Sequence, residues 1–177
     1  MDNSWTISGQ SRVIHDQKKR IRIGIGQMAA AGKDALLTTT GLGSCVGVVL
    51  YNGKGMAGMI HIMLPEAQTA LHGRVNRWRY ADTAVDDLVD SLINKGCRPG
   101  SLKAKIAGGA HMFSVKDQSP RIRIGERNVS AVKSRLTEHL IPIIAEDTGG
   151  QVGRSILFNV ETSEMNIKKA GGGELLL

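Results

Sequence analysis

A cysteine and a histidine lie on two neighbouring apolar runs, and they are the residues of this sequence best suited to catalysis. Cys45 ends a stretch of small residues, 38–45, and precedes a β-branched run, 46–51. His61 lies in a second apolar run, 56–65, and four turn-type residues separate the two runs. A cysteine thiolate is a strong nucleophile, and a neighbouring imidazolium lowers the pKa of the thiol. The pattern therefore indicates nucleophilic catalysis through sulfur.

The geometry of the two runs follows from the turn between them. Strand-like runs joined by Asn-Gly are typical of a β-hairpin, and a hairpin centred on Gly53 places Cys45 directly opposite His61. The Cβ atoms of such a pair lie about 4.5–5.5 Å apart. A loop one residue longer or shorter puts the two side chains on opposite faces, because strand side chains alternate. We therefore expect an odd loop or a bulge, both of which Gly53 and Gly55 permit.

A catalytic imidazole needs a third group to orient it. Thr38, Thr39 and Thr40 are candidates through a hydroxyl or a backbone carbonyl, and their spacing alone does not choose among them. The alternative is that Cys45 and His61 are only core residues, since free cysteines are usually buried and inert. The hairpin favours the catalytic interpretation because it brings the two side chains together.

The backbone just before the cysteine could supply a second catalytic element. Gly43 and Ser44 precede Cys45, and small residues let backbone N–H groups approach a reacting atom. N–H groups around these three residues could form an oxyanion hole.

The motifs around both residues resemble one known family. Thr-x-Gly-Leu-Gly-Ser-Cys-Val-Gly-Val, residues 39–48, and Gly-Met-Ile-His-Ile-Met-Leu-Pro, residues 58–65, closely resemble the chemoreceptor glutamine deamidases, CheD, of bacterial and archaeal chemotaxis. Further matches lie at residues 80–84, 104–113, 124–128 and 145–150, so the resemblance runs from about Ile21 to Gly173.

The resemblance implies a papain-like Cys-His-Thr triad that acts on protein glutamine without a cofactor. The family nucleophile falls on Cys45, its base on His61 and its threonine on Thr39. The implied reaction passes through a thioester, releases ammonia and leaves glutamate on the cytoplasmic helices of a methyl-accepting chemoreceptor. The implied location is the cytoplasm.

Two further features take their meaning from the resemblance. The pair Gly108-Gly109 ends a predicted strand, and in this family context we expect it to line the site. His111 is the second candidate imidazole, but the His-x-Met-Leu-Pro pattern of the family favours His61. The segment Glu66 to Arg79, which carries His72 and Trp78, has no clear match and is a candidate substrate-facing loop.

The resemblance also includes binding to the CheC phosphatase of the same pathway. A second hypothesis is therefore a regulatory module that binds chemoreceptors and CheC through the same cleft, with catalysis incidental. Intact Cys45, His61 and Thr39 argue against an inactive copy.

Composition excludes several other classes of protein. Hydrophobic residues make up 41% of the 177 residues, which is ordinary for one globular domain. No apolar run approaches the roughly 20 residues of a membrane span, and the first residues lack the shape of a signal peptide. Two cysteines, Cys45 and Cys97, suit a reducing compartment, and no Cys/His cluster has zinc-site spacing.

Basic residues are concentrated at the N-terminus. The chain has a formal charge of +7, and its first 33 residues hold six basic and two acidic side chains. We expect residues 1–19 to be a flexible basic arm and residues 20–177 to form a single domain. Nucleic acid is not expected as a partner, because the chain has no recognition helix and no basic motif interleaved with aromatic residues.

The remaining pattern predicts the elements that position the site. Apolar residues at helical spacing predict one helix from Ala81 to Ile93, stopped at Gly96, and a second from about Arg127 to His139. Predicted strands are 20–26, 35–39, 102–107, 141–145, 155–160 and 166–169, besides the hairpin. The order predicts an α+β fold with largely antiparallel sheets, and the family resemblance implies a β-sandwich-like core with the helices along one side.

Overall fold

A computed structural model describes residues 18–67, 76–111 and 123–177 and arranges them in three layers. These residues form ten strands and two α-helices. In chain order they are β1 (Lys19–Arg22), β2 (Met28–Gly32), β3 (Ala35–Leu42), β4 (Val46–Tyr51), β5 (Met56–Ile62), α1 (Ala81–Asn94), β6 (Lys103–Gly108), α2 (Ile124–Glu138), β7 (Ile143–Thr148), β8 (Arg154–Asn159), β9 (Met165–Lys169) and β10 (Glu174–Leu176), with short 3₁₀ turns at Arg77–Arg79 and Pro99–Ser101.

The strands divide into two five-stranded sheets. The outer sheet has the order β1-β3-β8-β9-β10, and the central sheet has the order β2-β5-β4-β6-β7. Both sheets are antiparallel except for the pairs β1–β3 and β6–β7, which are parallel. Helices α1 and α2 cover the face of the central sheet that the outer sheet leaves open. The predicted α+β sandwich with two helices on one side is therefore confirmed.

Strand β4 is the centre of the molecule and is buried on both faces. Its even-numbered residues, among them Val48 and Leu50, pack toward the helices, and Val49 and Tyr51 pack toward the outer sheet. A strand covered on both sides needs apolar side chains at every position, which explains its continuous β-branched run. The segment 43–45 connects β3 of the outer sheet to β4 of the central sheet, so Cys45 lies where the chain crosses between sheets.

The hairpin of β4 and β5 differs from the expected one by its register. Gly47, not Cys45, lies opposite His61. The loop is centred on Lys54 rather than Gly53, and the N–H of Asn52 donates to the carbonyl of Met56 across it (3.1 Å). The expected direct opposition of Cys45 and His61 is thus wrong, while the expected odd loop is confirmed. The odd loop keeps both side chains on the face toward the outer sheet.

The helices and the chain ends show smaller differences. Helix α1 matches its prediction, and Gly96, with a φ of 91°, follows its end. Helix α2 begins at Ile124, three residues earlier than expected. Strand β1 begins at Lys19 and the Lys18 ammonium pairs with Glu161 (2.6 Å), so the last two residues of the expected arm are structured. The rest of that arm, residues 1–17, lies outside the described residues.

Candidate functional site

His61 and Thr39 meet in the layer between the two sheets. His61 is on β5, Thr39 is on β3, and both are almost fully buried. The Oγ1 of Thr39 lies 2.8 Å from Nδ1 of His61. The two sheets approach closely here because Gly47, opposite His61, has no side chain. A Cβ at that position would lie 2.6 Å from Cδ1 of Ile156 in the outer sheet.

A backbone carbonyl fixes the direction of this hydrogen bond. The hydroxyl of Thr39 donates its single hydrogen to the carbonyl of Ile23 (2.7 Å). It must therefore accept from Nδ1–H of His61. The neutral imidazole carries only one proton, so Nε2 is left with a free lone pair. Among the described residues Nε2 has no hydrogen-bond partner, and this nitrogen is therefore available as a base.

The structure distinguishes Thr39 from its two neighbours. The hydroxyl of Thr38 donates to the carbonyl of Ile156 on the neighbouring strand β8 (2.9 Å), so it is bound within the outer sheet. Thr40 lies in a groove beside Gly41 and Lys169. Only Thr39 of the three has a hydrogen bond to His61.

Cys45 lies on the same face of the central sheet as His61. Since Gly47 is opposite His61, Cys45 is a diagonal neighbour of the imidazole across the two strands. Diagonal neighbours have Cα atoms about 7–8 Å apart, within reach of a long or aromatic side chain. Cys45 is partly exposed, whereas His61 is buried, so the thiol is the part of the pair that a substrate can approach.

Burial sets the resting charges of the pair. Desolvation lowers the pKa of His61 to about 4. Desolvation also raises the pKa of the Cys45 thiol, and a hydrogen bond from the backbone N–H of Cys45 offsets part of that rise. At neutral pH both groups are uncharged at rest. This differs from the expected imidazolium beside a thiolate. The arrangement suits a proton transfer from sulfur to Nε2 during attack, with His61 acting as a general base.

Each carbonyl of the segment 43–45, just before β4, accepts a hydrogen bond. The carbonyl of Cys45 accepts from the N–H of Gly109 (2.8 Å), and that of Gly43 accepts from the N–H of Ala110 (2.8 Å). Gly108 has a φ of 120°, and a Cβ there would lie 2.2 Å from the carbonyl oxygen of Cys45. The expected glycine pair therefore contacts the cysteine segment directly, through its backbone.

The carbonyl of Ser44, between those two, accepts from Nδ2 of Asn128 on α2 (2.9 Å). The three consecutive carbonyls of the segment thus all have donors, whereas the N–H groups of Ser44 and Cys45 do not have acceptors of the same kind. No carbonyl in the described part of the chain accepts from either of them.

Comparison with known proteins identifies the family. The family model described as CheD chemotactic sensory transduction matches residues 63–169, a range that begins just after His61. A protein of Halalkalibacterium halodurans named chemoreceptor glutamine deamidase CheD is 48% identical over 155 residues, covering 87% of this chain and 96% of its own length. The chain belongs to the CheD family. The resemblance stated from the motifs is confirmed.

Other CheD relatives show similar agreement. The Bacillus subtilis protein of the same name is 45% identical over 155 residues, covering 87% of this chain and 93% of its own. A probable chemoreceptor glutamine deamidase CheD of Geobacillus kaustophilus is 49% identical over 152 residues, covering 85% of this chain and 92% of its own length. A solved structure titled Bacillus licheniformis hypothetical protein YfiH aligns with a TM-score of 0.41 at 15% identity, covering 68% of this chain and 49% of its own.

The remaining candidates of the sequence lie at the margin of this CheD site or outside it. The ring of His111 lies 2.9 Å from Glu126 on α2, while its N–H donates to the carbonyl of Gly150. Cys97 is buried beside Asn52, at the opposite end of β4 from Cys45. His72 lies outside the described residues.

Trp78 is in the 3₁₀ turn Arg77–Arg79, and its side chain is 36% exposed. The carbonyl of Arg79 accepts from the N–H of Met63, so this turn borders the strand end that follows His61.

Asn128 and the carbonyl of Ile23 are the parts of the site that sequence reasoning missed. Asn128 is fully buried on α2, in line with the apolar residues Val132 and Leu136. A polar residue on the buried face of a helix is a signal that the pattern did contain. The carbonyl of Ile23 carries no signal in the sequence, because any residue type presents one.

Two general searches complete the description of this CheD chain. In residues 18–67, 76–111 and 123–177 no three His, Cys, Asp or Glu side chains are grouped as metal ligands would be. No helix in the same part of the chain is long and apolar enough to cross a bilayer.

Proposed function

We propose that this CheD-family chain is a protein-glutamine deamidase that converts glutamines of chemoreceptor cytoplasmic helices to glutamate. Cys45 is the nucleophile, His61 the general base and acid, and Thr39 the residue that orients His61. The observation that carries the proposal is the hydrogen-bonded series from the Ile23 carbonyl through Thr39 to His61. It leaves Nε2 unprotonated on the face that Cys45 shares.

The first half-reaction forms a thioester. Sγ of Cys45 attacks the side-chain carboxamide carbon of a glutamine as Nε2 of His61 takes the thiol proton. The carbonyl oxygen becomes an oxyanion, and the free N–H groups of Cys45 and Ser44 are suited to bind it. The imidazolium then gives its proton to the leaving nitrogen, and ammonia departs.

The second half-reaction regenerates the enzyme. His61 removes a proton from water, which attacks the thioester carbon, and the same N–H groups bind the second oxyanion. The returned proton restores the Cys45 thiol, so glutamine and water become glutamate and ammonia. No metal or other cofactor takes part in these steps.

The uncharged resting pair fits this sequence of steps. The imidazolium of His61 is unfavourable at rest because burial removes the charged ring from water. When the oxyanion forms nearby, its charge stabilises the imidazolium, and proton transfer and attack support each other. The charge separation is thus confined to the intermediate, where it assists the reaction.

The product would alter the receptor by local electrostatics. Each deamidation adds one negative charge to an exposed receptor helix in the cytoplasm, and such a charge can shift a two-state signalling equilibrium. The new glutamates can also become sites of methylation, as the resemblance to the family implies.

The test is peptide mass spectrometry on a chemoreceptor cytoplasmic fragment incubated with the wild-type protein or with Cys45→Ala. Specific glutamines are expected to become glutamates with the wild type and to stay unchanged with Cys45→Ala. Cys97→Ser is the matched control because it removes the buried cysteine far from the site, and it should deamidate like the wild type. Full activity of Cys45→Ala would contradict the proposal.

A second candidate function is binding of the CheC phosphatase through the same cleft. Exposed apolar side chains favour it. Ile25, Met63 and Trp78 are 53%, 38% and 36% exposed, on three segments next to His61. Backbone hydrogen bonds join these segments, from Gly26 N–H to the His61 carbonyl and from Met63 N–H to the Arg79 carbonyl. If CheC and the receptor substrate bind to the same surface, CheC inhibits deamidation competitively. If CheC binds Cys45→Ala without occluding the receptor fragment, the surfaces are separate.

A further inference from the structure

One buried side-chain amide joins the segments that carry Cys45 and His61. Asn128 is fully buried on α2, and its Nδ2 donates to the carbonyls of Ser44 and Met63, both at 2.9 Å. Ser44 directly precedes the nucleophile, and Met63 follows His61 by two residues. Both partners are carbonyls, which only accept, so the amide nitrogen must be the atom that faces them.

The beginning of α2 is shaped to bring Asn128 to this position. Gly125, in the first turn, has no side chain, and a Cβ there would lie 2.6 Å from the carbonyl oxygen of Gly109. Gly109 and the next residue donate their N–H groups to the cysteine segment. Helix α2 and the turn 108–110 therefore hold that segment from the same side.

The bond to Ser44 also fixes the direction of the next N–H group. The carbonyl of Ser44 and the N–H of Cys45 belong to one planar trans peptide, so they point in opposite directions. Because Asn128 binds the carbonyl on the α2 side, the N–H faces away from α2. The N–H of Cys45 has no carbonyl partner in the described part of the chain, so it is available to an oxyanion that forms beside the sulfur.

Packing alone does not account for an asparagine here. Its Oδ1 is buried and has no hydrogen-bond partner among the described residues. The neighbouring positions on the same face of α2 are Val132 and Leu136, where the helix uses apolar side chains. The asparagine therefore accepts one buried oxygen without a partner in exchange for holding two carbonyls, in the segments of Cys45 and His61.

We propose that Asn128 is a positioning residue of the deamidation reaction. It holds the Ser44–Cys45 peptide so that the Cys45 N–H binds the oxyanion. This inference rests on the proposed function. Asn128 acts through the backbone and touches neither substrate nor the reacting atoms.

The test compares Asn128→Ala and Asn128→Asp with a matched control, Lys105→Met. The Lys105 ammonium also donates to two backbone carbonyls, those of Ser163 and Leu177. It lies opposite Val49, four residues along β4 from Cys45, or about 13 Å. The readouts are kcat and KM on a receptor fragment, the unfolding temperature, and the rate at which iodoacetamide alkylates Cys45.

We expect kcat to fall about tenfold or more in both Asn128 variants while KM changes less than about threefold, because a donor of the oxyanion hole is displaced. Alkylation of Cys45 should change less than about threefold, since displacement of iodide forms no oxyanion. Lys105→Met should keep kcat near the wild-type value. The deficit of Asn128→Asp should shrink as pH falls, because a protonated carboxyl regains one donor.

Equal loss of kcat in the Asn128 variants and Lys105→Met, at equal loss of unfolding temperature, would overturn the inference. So would alkylation that slows in step with kcat, because the thiol itself would then be impaired. If Asn128→Ala does not fold, Asn128→Ser, which keeps one donor, takes its place with the same readouts. A wild type that leaves the fragment unchanged overturns the proposed function instead, and the positioning role with it.

Discussion

The hydroxyl of Thr39 determines which nitrogen of His61 carries the proton. It donates to the Ile23 carbonyl and therefore accepts from Nδ1–H, which leaves Nε2 unprotonated and able to serve as the proposed base. Without that acceptor, both tautomers of a buried neutral imidazole become accessible and the ring loses a fixed orientation. Groups that orient a catalytic or metal-bound histidine in this way typically contribute about 10–100-fold to its effect.

Thr39→Val is therefore expected to lower kcat by about 10–100-fold with little change in KM. Valine keeps the β-branched shape and removes only the oxygen. Thr38→Val is the matched control, because its hydroxyl binds the Ile156 carbonyl and does not touch His61. Steady-state kinetics on the receptor fragment measure both variants. Equal losses of kcat in the two would show that a hydroxyl in β3 matters only for folding.

For individual residues, the sequence indicated which side chains belong to the site better than it indicated which of them are in contact. The spacing of Cys45 and His61 indicated a pair on one face, and the structure keeps them on one face. The choice among Thr38, Thr39 and Thr40 needed the family resemblance. It depends on which side chain faces inward from β3, and a run of three threonines has no alternation to reveal that.

The turn after β6 supports the cysteine segment through its backbone. Gly108 has a φ of 120°, and no side chain fits there because the Cys45 carbonyl occupies the space. An added methyl group would push the cysteine segment away from the three N–H donors that bind its carbonyls, and the N–H groups proposed to bind the oxyanion would move with it.

Gly108→Ala is therefore expected to lower kcat at least about tenfold and to destabilise the fold. Gly172→Ala is a matched control, because its φ of 108° imposes similar backbone strain but no atom lies within 4 Å of the added Cβ. It should cost only about 1 kcal/mol and leave kcat unchanged. Urea unfolding and the deamidation rate measure both variants. Equal effects in the pair would mean that backbone strain, not the contact with Cys45, is responsible.

The prediction of strands failed where the amino-acid composition gives little indication of secondary structure. Strand β2, Met28-Ala-Ala-Ala-Gly32, was missed because alanine and glycine have low strand propensity, and its pairing with β5 overrides that preference. Strand β10 was also missed, because it follows three consecutive glycines and glycine has low strand propensity. The centre of the hairpin loop lies at Lys54 rather than Gly53, because Gly53 and Gly55 on either side of it both adopt positive φ.

At the scale of the whole molecule, the site depends on the closure of two sheets. His61 belongs to the central sheet and Thr39 to the outer one, so their bond crosses the layer between the sheets. The element order predicted the α+β class, but it did not show that β3 and β4, which are consecutive, belong to different sheets. Burial in this layer gives His61 its low pKa. Because the pKa of His61 therefore differs between the folded and unfolded states, the stability of the fold depends on the protonation of this residue.

That coupling predicts a specific dependence of stability on pH. The pKa of His61 is about 4 in the folded protein and about 6.5 in an unfolded chain, so the unfolded state binds a proton first. Stability is therefore lost as pH falls below about 6.5, and the loss is complete near pH 4. By pH 5 this one group lowers the free energy of unfolding by about 2 kcal/mol relative to pH 7.

Urea unfolding of the wild type and of His61→Gln at pH 7 and pH 5 measures this contribution. The variant cannot take up the proton, so its free energy of unfolding should fall by about 2 kcal/mol less between the two pH values. Carboxylates such as Asp86 and Asp147, whose pKa values are lowered by their basic partners, stay ionised in both proteins over this range and cancel in the comparison. Parallel losses in the two proteins would contradict the buried neutral imidazole. The pKa of His61 would then lie near 6.5, and part of the proposed base would be protonated at neutral pH and unable to accept the Cys45 proton.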